Sequence, residues 1–354
     1  MMSSSGEEGK CIFLINTEFV LLVSLLYAKY FLDKKLQPVF VLIRTTTRRF
    51  SKVDISKIPG VVYLYINELS SSKLRPDTSY LKVRDIKRVK QILFQNPEDM
   101  INSSLVAFFR KANPDLKLIV VSDSIAIERK VMNKPRDRFI HYARLGFRRC
   151  INRLPDISWK VWSYHTLPFE PDGLIAHRNY NFRNFINTKD LFGLVGDYLS
   201  ELSDIFVLDT DKYKNAEIIF FTQPNLDYTT FSSDIKRGYY DGVRLLSSLA
   251  LENKVYTVIK VHPAENPEIY MPFINEFTSV DSNSNTPAEI IINGLEGKKI
   301  VSYWSSISVY DIFNNHKHFW LYKTINYKLP AASVNENIFI IEDIQGIKSN
   351  LFNR

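Results

Sequence analysis

Short runs of β-branched and aromatic residues recur along the chain, each separated from the next by helical spacing or turn residues, and that alternation leaves few folds open. The runs are continuous rather than alternating: residues 10–15 (KCIFLI), 37–43 (QPVFVLI), 60–66 (GVVYLYI), 116–121 (LKLIVV), 217–221 (EIIFF), 255–261 (VYTVIKV), 299–303 (KIVSY) and 317–322 (KHFWLY). Strands buried on both faces read this way, and they belong to parallel sheets covered by helices. Helical patterns are expected at 18–32 behind an Asn16-Thr17 turn and cap, then at 80–94, 97–111, 189–202, 232–251, 267–277, 286–293 and 343–352. Residues 168–188, rich in Pro, Asn and aromatics, are expected to be irregular and to lie over a cleft.

At 354 residues the chain is long for one core and comfortable for two. The α/β alternation restarts after the polar stretch 204–215, so the expected organisation is a disordered leader at 1–10, a Rossmann-like domain at 11–212 and a second at 213–354. Neither half carries the Gly-rich dinucleotide fingerprint. Hydrophobic residues at 45% and charged residues at 24% describe a globular chain. Two cysteines, Cys11 and Cys150, make no disulfide framework and suit a reducing cytoplasm. The most apolar stretch, 11–32, is broken by Asn16, Glu18 and Lys29 and reads as neither membrane span nor signal peptide.

Lys and Arg number 46 against 38 Asp and Glu, a net charge of +8, which favours an anionic partner. Much of the excess sits at 44–52 (RTTTRRFSK) and 129–153. Solvated helix faces account for most such runs; the functional reading is contact with anionic lipid head groups at the inner membrane face or with phosphorylated glycans. No zinc finger, RNP-like strand or heptad-linked basic region points to nucleic acid.

The chemistry concentrates in the second half. The strand 255–261 ends in Lys260, Val261, His262 and Pro263, placing a cation and a titratable ring at the carboxyl end of a sheet, where ligands of open α/β sheets bind. That pair suits a phosphate that departs with negative charge. Thr222-Gln223-Pro224 follows the preceding strand, and Ser305-Ser306 follows a later one, where hydroxyls and free N–H groups at a helix start can hold phosphate. Taken alone, a strand-end His packs and a Ser pair caps. Glu289, in Thr286-Pro287-Ala288-Glu289, reads either as the acid of a capping box or as a carboxylate that takes both hydroxyls of a ribose.

The order Gln223-Pro224, Lys260-x-His262-Pro263, Pro287-Ala288-Glu289 and Ser305-Ser306 resembles that of the bacterial lipooligosaccharide sialyltransferases and polysialyltransferases, and Asn16-Thr17-Glu18-Phe19 is similar to that group's N-terminal loop. The resemblance implies a GT-B fold, two Rossmann-like domains facing a cleft. It also implies an inverting transfer of sialic acid or a related nonulosonic acid from a CMP-activated donor to a hydroxyl of a glycan or glycolipid acceptor, with no cofactor and no metal. His262 would then stabilise or protonate the departing phosphate, Gln223 and Lys260 would hold the nucleotide, Glu289 the ribose, and Ser305 and Ser306 the phosphate. A leaving group that is already a phosphate monoester is compatible with fixed protein donors in place of a metal, and no DxD-like pair is well placed for a divalent ion.

The family's general base belongs to an acidic-acidic-Gly motif at a strand end of the first domain, and this chain departs from it. Ser122-Asp123-Ser124 occupies the strand end, whereas Glu170-Pro171-Asp172-Gly173 retains an Asp-Gly in an expected loop. Asp123 is the preferred base because strand ends are fixed, with Asp172 as the alternative; an N-cap and a turn are their ordinary structural roles. Rival readings are transfer of Kdo or another CMP-activated ulosonate, a teichoic-acid-type glycerophosphotransferase, and, in another class, a non-catalytic basic module that binds polyanions.

Overall fold

The computed structural model describes residues 9–44, 50, 53–66, 88–95, 100–122, 160–162, 165–167, 171–176, 184–208, 211–223, 232–263, 265–282, 286–309, 315–327 and 337–353. The chain divides into two units, one of Met1–Phe50 with Ile55–Leu194 and one of Ser51–Asp54 with Val195–Arg354. Asp123, the basic stretch 129–153 and most of 44–52 lie outside the described residues.

Seven parallel strands form the sheet of the first unit. They are β1 (Gly9–Ile15), β2 (Leu36–Arg44), β3 (Val61–Ile66), β4 (Val89–Gln95), β5 (Lys117–Val121) and, after a separate antiparallel pair β6 (Lys160–Trp162) and β7 (His165–Leu167), β8 (Gly173–Ala176) and β9 (Phe185–Asn187). Their order is β3-β2-β1-β4-β5-β8-β9, so the sheet grows from β1 in one direction and then from β4 in the other. Helix α1 (Glu18–Tyr30) starts where the Asn16-Thr17 turn predicts: the Thr17 hydroxyl accepts the Val20 N–H at 3.1 Å. Its buried face lies on the sheet beside Phe13, which stacks on Phe40 with ring centroids 4.9 Å apart. The other face of the sheet packs Ile12, Val41, Ile92 and Phe94 with Phe109 of α2 (Met100–Ala112).

Two expectations for this unit are corrected. Residues 89–95 are the central strand β4, not the end of a helix. Val83, Ile86, Val89 and Leu93 recur at helical intervals, and Gln91 and Gln95 interrupt the apolar run. Pairing with both β1 and β5 overrides that local pattern; Gln91 Nε2 donates to the Tyr27 hydroxyl at 2.9 Å, and the backbone carbonyl of Gln95 accepts from Asn102 Nδ2 at 2.5 Å. The stretch 168–188 also contributes β8 and β9 to the sheet, where it was expected to be irregular; the runs are only four and three residues long, too short to show a period.

The second unit is a six-stranded parallel sheet of β10 (Ile218–Phe221), β11 (Thr257–Lys260), β12 (Thr278–Asp281), β13 (Lys299–Ser302), β14 (Lys317–Trp320) and β15 (Ile338–Ile340), ordered β12-β11-β10-β13-β14-β15. It repeats the growth pattern of the first sheet, with β10 and β13 in the places of β1 and β4. After the short helix α3 (Thr188–Phe192) of the first unit come α4 (Leu199–Phe206), α5 (Asp211–Lys214), the long α6 (Ser233–Asn253), α7 (Ala288–Asn293) and α8 (Ile344–Leu351). Ser232 caps α6 by accepting the Ile235 N–H at 3.3 Å. One face of the sheet, with Phe220, Ile259, Val301 and Phe319, packs against Tyr239, Val243 and Leu246 of α6 and Ile347 of α8. Gly242 lets α6 close on the sheet: a Cβ there would overlap the Tyr303 hydroxyl, which donates to the Tyr239 carbonyl at 3.0 Å.

The single helix expected over 189–202 is α3, a 3-10 turn at Gly196–Tyr198 and α4, broken at Gly193 and Gly196. This break is also where the units divide, rather than near residue 212. Helix α4 belongs with the second sheet because the Ile205 carbonyl accepts the Asp54 N–H at 2.7 Å and Thr286 Oγ1 donates to the Phe206 carbonyl at 3.4 Å. The helix expected at 267–277 is a 3-10 segment, Pro267–Phe273, with Pro272 inside it, followed by β12. Among the described residues no helix is long and apolar enough to cross a membrane.

Candidate functional site

In a sheet that grows both ways from a central pair, the ligand crevice opens at the carboxyl ends of that pair. In the second unit the pair is β10 and β13. Thr222 and Gln223 follow β10, Ser305 follows β13 after two residues, and His262 follows the neighbouring β11. Three of the sequence motifs therefore leave adjacent strands at one end of one sheet.

Thr222 and His262 touch. The His262 N–H donates to Thr222 Oγ1 at 2.8 Å, and the Thr222 N–H donates to the Lys260 carbonyl at 3.1 Å. Gln223 is buried, and its N–H donates to the Tyr239 hydroxyl at 3.1 Å. His262 itself is half-buried. Lys260 is only 4% exposed, and its ammonium donates to the Val261 carbonyl at 3.4 Å. It shares a row at the carboxyl edge with Asp281, Phe221, Ser302 and Trp320, and parallel register turns those side chains to the same face. The Asp281 carboxylate in that row accepts from the Tyr213 hydroxyl and from Lys212 Nζ at 3.5 Å.

Glu289 enters from the first turn of α7 and is 7% exposed. The capping box read from Thr286-Pro287-Ala288-Glu289 does not form: the Thr286 hydroxyl is used on Phe206, and Pro287 holds the N-cap position with no side-chain cap bond. Burial pushes the Glu289 carboxyl up to about 7, partly opposed by a bond from its own backbone N–H. Once ionised it can accept hydroxyl donors.

Ser305 is half-buried and opens the 3-10 turn Ser306–Val309; its Oγ accepts the Ile307 N–H at 3.4 Å, and its carbonyl accepts the Ser308 N–H at 3.3 Å. The turn is tied to β14 by a 3.2 Å contact between Ser308 Oγ and His318 Nδ1, both buried. The Ser306 backbone begins this turn, and its side chain lies outside the described residues.

The two candidate bases differ. Strand β5 runs out at Val121, and Asp123 beyond it lies outside the described residues. Asp172 stands at the amino end of β8, the opposite end of its sheet from the expected crevice. Its carboxylate accepts the Leu118 N–H at 2.7 Å, its N–H donates to the Leu118 carbonyl at 2.7 Å, and its carbonyl accepts Asn184 Nδ2 at 2.7 Å. Those bonds stitch β8 into the sheet, so as a base Asp172 is disfavoured by position and by its partners.

Sequence reasoning passed over Glu265, Tyr239 and Tyr270. The half-buried Glu265 carboxylate accepts from the Thr222 hydroxyl on one oxygen and from the Tyr270 hydroxyl, at 2.8 Å, on the other. Tyr270 and Tyr239 hydroxyls lie 3.2 Å apart. Burial first, and then the Glu265 charge, raise the Tyr270 phenol above its ordinary range, so it is a donor. The available signal was an acid three residues after His262. A groove lined by Tyr240, Arg244, Ser248, Ile269 and Ile274 contains none of these residues.

No family model and no curated protein matches the chain. Solved structures do. The wall teichoic acid polymerase TagF aligns over 98% of this chain and 80% of its own, with TM-score 0.52 and 12% identity. S. aureus MnaA, solved with UDP, aligns over 97% of this chain and 87% of its own, with TM-score 0.50 and 13% identity. The fold is GT-B-like. That likeness, at these identities, concerns the fold, and the two parallel α/β sheets are what the sequence pattern led one to expect.

Proposed function

We propose that the chain is an inverting, metal-independent glycosyltransferase that moves sialic acid, or a related nonulosonic acid, from a CMP-activated donor to a hydroxyl of a bacterial surface glycan. The observation that carries this reading is the convergence of Gln223, His262 and Ser305 on the carboxyl ends of β10, β11 and β13, with Lys260 closing β11. In this account Gln223 and Lys260 hold the nucleotide, Glu289 accepts the ribose hydroxyls, and Ser305 and Ser306 receive the phosphate.

The transfer is a single displacement. Asp123 takes the acceptor proton, the acceptor oxygen bonds the anomeric carbon, and the bond from that carbon to the phosphate oxygen breaks. The electron pair leaves with CMP, and His262 meets the departing charge by donating a hydrogen bond or a proton. The solved likeness to MnaA with UDP supports a nucleotide-sugar donor in general terms. The net charge of +8 suits an anionic, membrane-associated acceptor.

The likeness to a wall teichoic acid polymerase favours a second reading, a glycerophosphotransferase that uses the same strand ends. A thermal-shift panel of CMP, CDP, UDP and CDP-glycerol separates the two, because a ligand of the folded state raises the unfolding temperature. A shift with CMP that is lost in Glu289→Ala supports the CMP-sugar reading. A shift confined to CDP-glycerol supports the second, and stabilisation by polyanions alone supports a non-catalytic basic module.

A further inference from the structure

We propose that Glu265, acting through Thr222, is a positioning residue that fixes His262 for the transfer. The inference rests on the reading of His262 as the group that meets the departing phosphate. It starts from proton bookkeeping around one hydroxyl. Thr222 Oγ1 has a single proton, and that proton goes to Glu265. The lone pairs of the same oxygen are thereby left to accept, and they take the His262 N–H at 2.8 Å. The direction of every bond is set by the carboxylate, which can only accept.

Glu265 also holds His262 from the other side, since the Glu265 N–H donates to the His262 carbonyl at 3.0 Å. A closed ring results: His262 N–H to Thr222, Thr222 to the Glu265 carboxylate, Glu265 N–H back to the His262 carbonyl. Tyr270 holds the second carboxylate oxygen, and Tyr239 joins that hydroxyl to the Gln223 N–H, so the ends of β10 and β11 are tied through one network. With its N–H and carbonyl both engaged and Pro263 following, the backbone of His262 is fixed on both sides. A misplacement of about 1 Å at a reacting group costs on the order of 10²-fold in rate, so such a clamp acts on turnover.

The test compares Thr222→Val, Thr222→Ser and Glu265→Gln in the full chain. Valine keeps the shape and removes the hydroxyl; glutamine keeps the shape and removes the charge that orients Thr222; serine keeps the bond. Thr222→Val and Glu265→Gln are expected to lower kcat by about 10–100-fold with the donor KM within about threefold, and Thr222→Ser to stay within about threefold on both. Amide hydrogen exchange at His262 is expected to quicken by roughly tenfold or more in the first two variants and not in the third. Unchanged kcat in Thr222→Val and Glu265→Gln overturns the proposal, as does a Thr222→Ser variant as impaired as Thr222→Val. Should the wild-type chain transfer nothing from CMP donors, the donor reading falls by itself, and unchanged His262 exchange in Thr222→Val then overturns the clamp.

Discussion

The hydroxyl of Thr222 accepts the backbone N–H of His262 at 2.8 Å, which joins the residue after β10 to the residue that leads the chain away from β11. Because this bond crosses between two strand ends, the position of His262 is a property of the sheet edge rather than of a free loop. Changes to the groups around that edge should therefore be felt in binding, turnover or stability.

The Glu289 carboxyl gives the second unit a pH signature. Its folded value of about 7 lies above the unfolded value of about 4.3, so the folded state holds the proton more tightly. Its contribution to stability is fully present below about pH 4.3 and is lost as pH rises through about 7, a change of roughly 3–4 kcal/mol. Denaturant unfolding at pH 5 and pH 8 should show wild type losing more stability than Glu289→Gln across that interval; parallel losses contradict the assignment.

Nucleotide binding should carry the opposite sign. A ribose that donates hydroxyls to Glu289 favours the ionised carboxylate, so CMP affinity should rise with pH up to about 7 and level off above it. Titration calorimetry between pH 5.5 and pH 8.5 measures this. A flat profile in wild type, or the same slope in Glu289→Gln, removes Glu289 from the ribose.

Asp172 is predicted to matter for stability and not for turnover. Removing its carboxylate in Asp172→Ala leaves the Leu118 N–H without that partner, at a cost of about 1–3 kcal/mol. Turnover at a temperature where the variant is folded should stay within about threefold, whereas Asp123→Ala should lose about 10²-fold or more. The reverse pattern exchanges the two roles.

Packing of α6 on the sheet turns on Gly242. A methyl group there meets the Tyr303 hydroxyl, so Gly242→Ala should destabilise by about 1–3 kcal/mol. Tyr303→Phe removes the obstructing oxygen and its hydrogen bond to the Tyr239 carbonyl, at about 1 kcal/mol for that bond. The double variant should be more stable than the sum of the two single losses, by denaturant titration; strict additivity contradicts the contact.

Much of the architecture was legible because strands such as 37–43 and 299–303 are largely apolar, and a short run of that kind between turn residues is best buried in a sheet covered on both faces. Strand β4 was not, because Gln91 and Gln95 break its run, and the bond that lets Gln91 lie buried comes from the Tyr27 hydroxyl, 64 residues away in sequence. Strands β8, β9, β12 and β15 are three or four residues long and carry no readable period. At the site, His262 and Gln223 could be placed from the strands they end, but the clamp around them could not. Glu265 and Tyr270 lie 43 and 48 residues from Thr222, and only folding brings a carboxylate, a phenol and a threonine hydroxyl together.

The central claim is that His262 meets the leaving phosphate of a CMP-activated sugar. Its most direct measurement is single-turnover transfer from CMP-sialic acid to a terminal galactoside acceptor, in wild type and in His262→Ala, with thermal unfolding recorded on both. The account predicts transfer by the wild type and a loss of about 10²–10⁴-fold in the variant, with the unfolding transition retained. Equal transfer by the two proteins would contradict it.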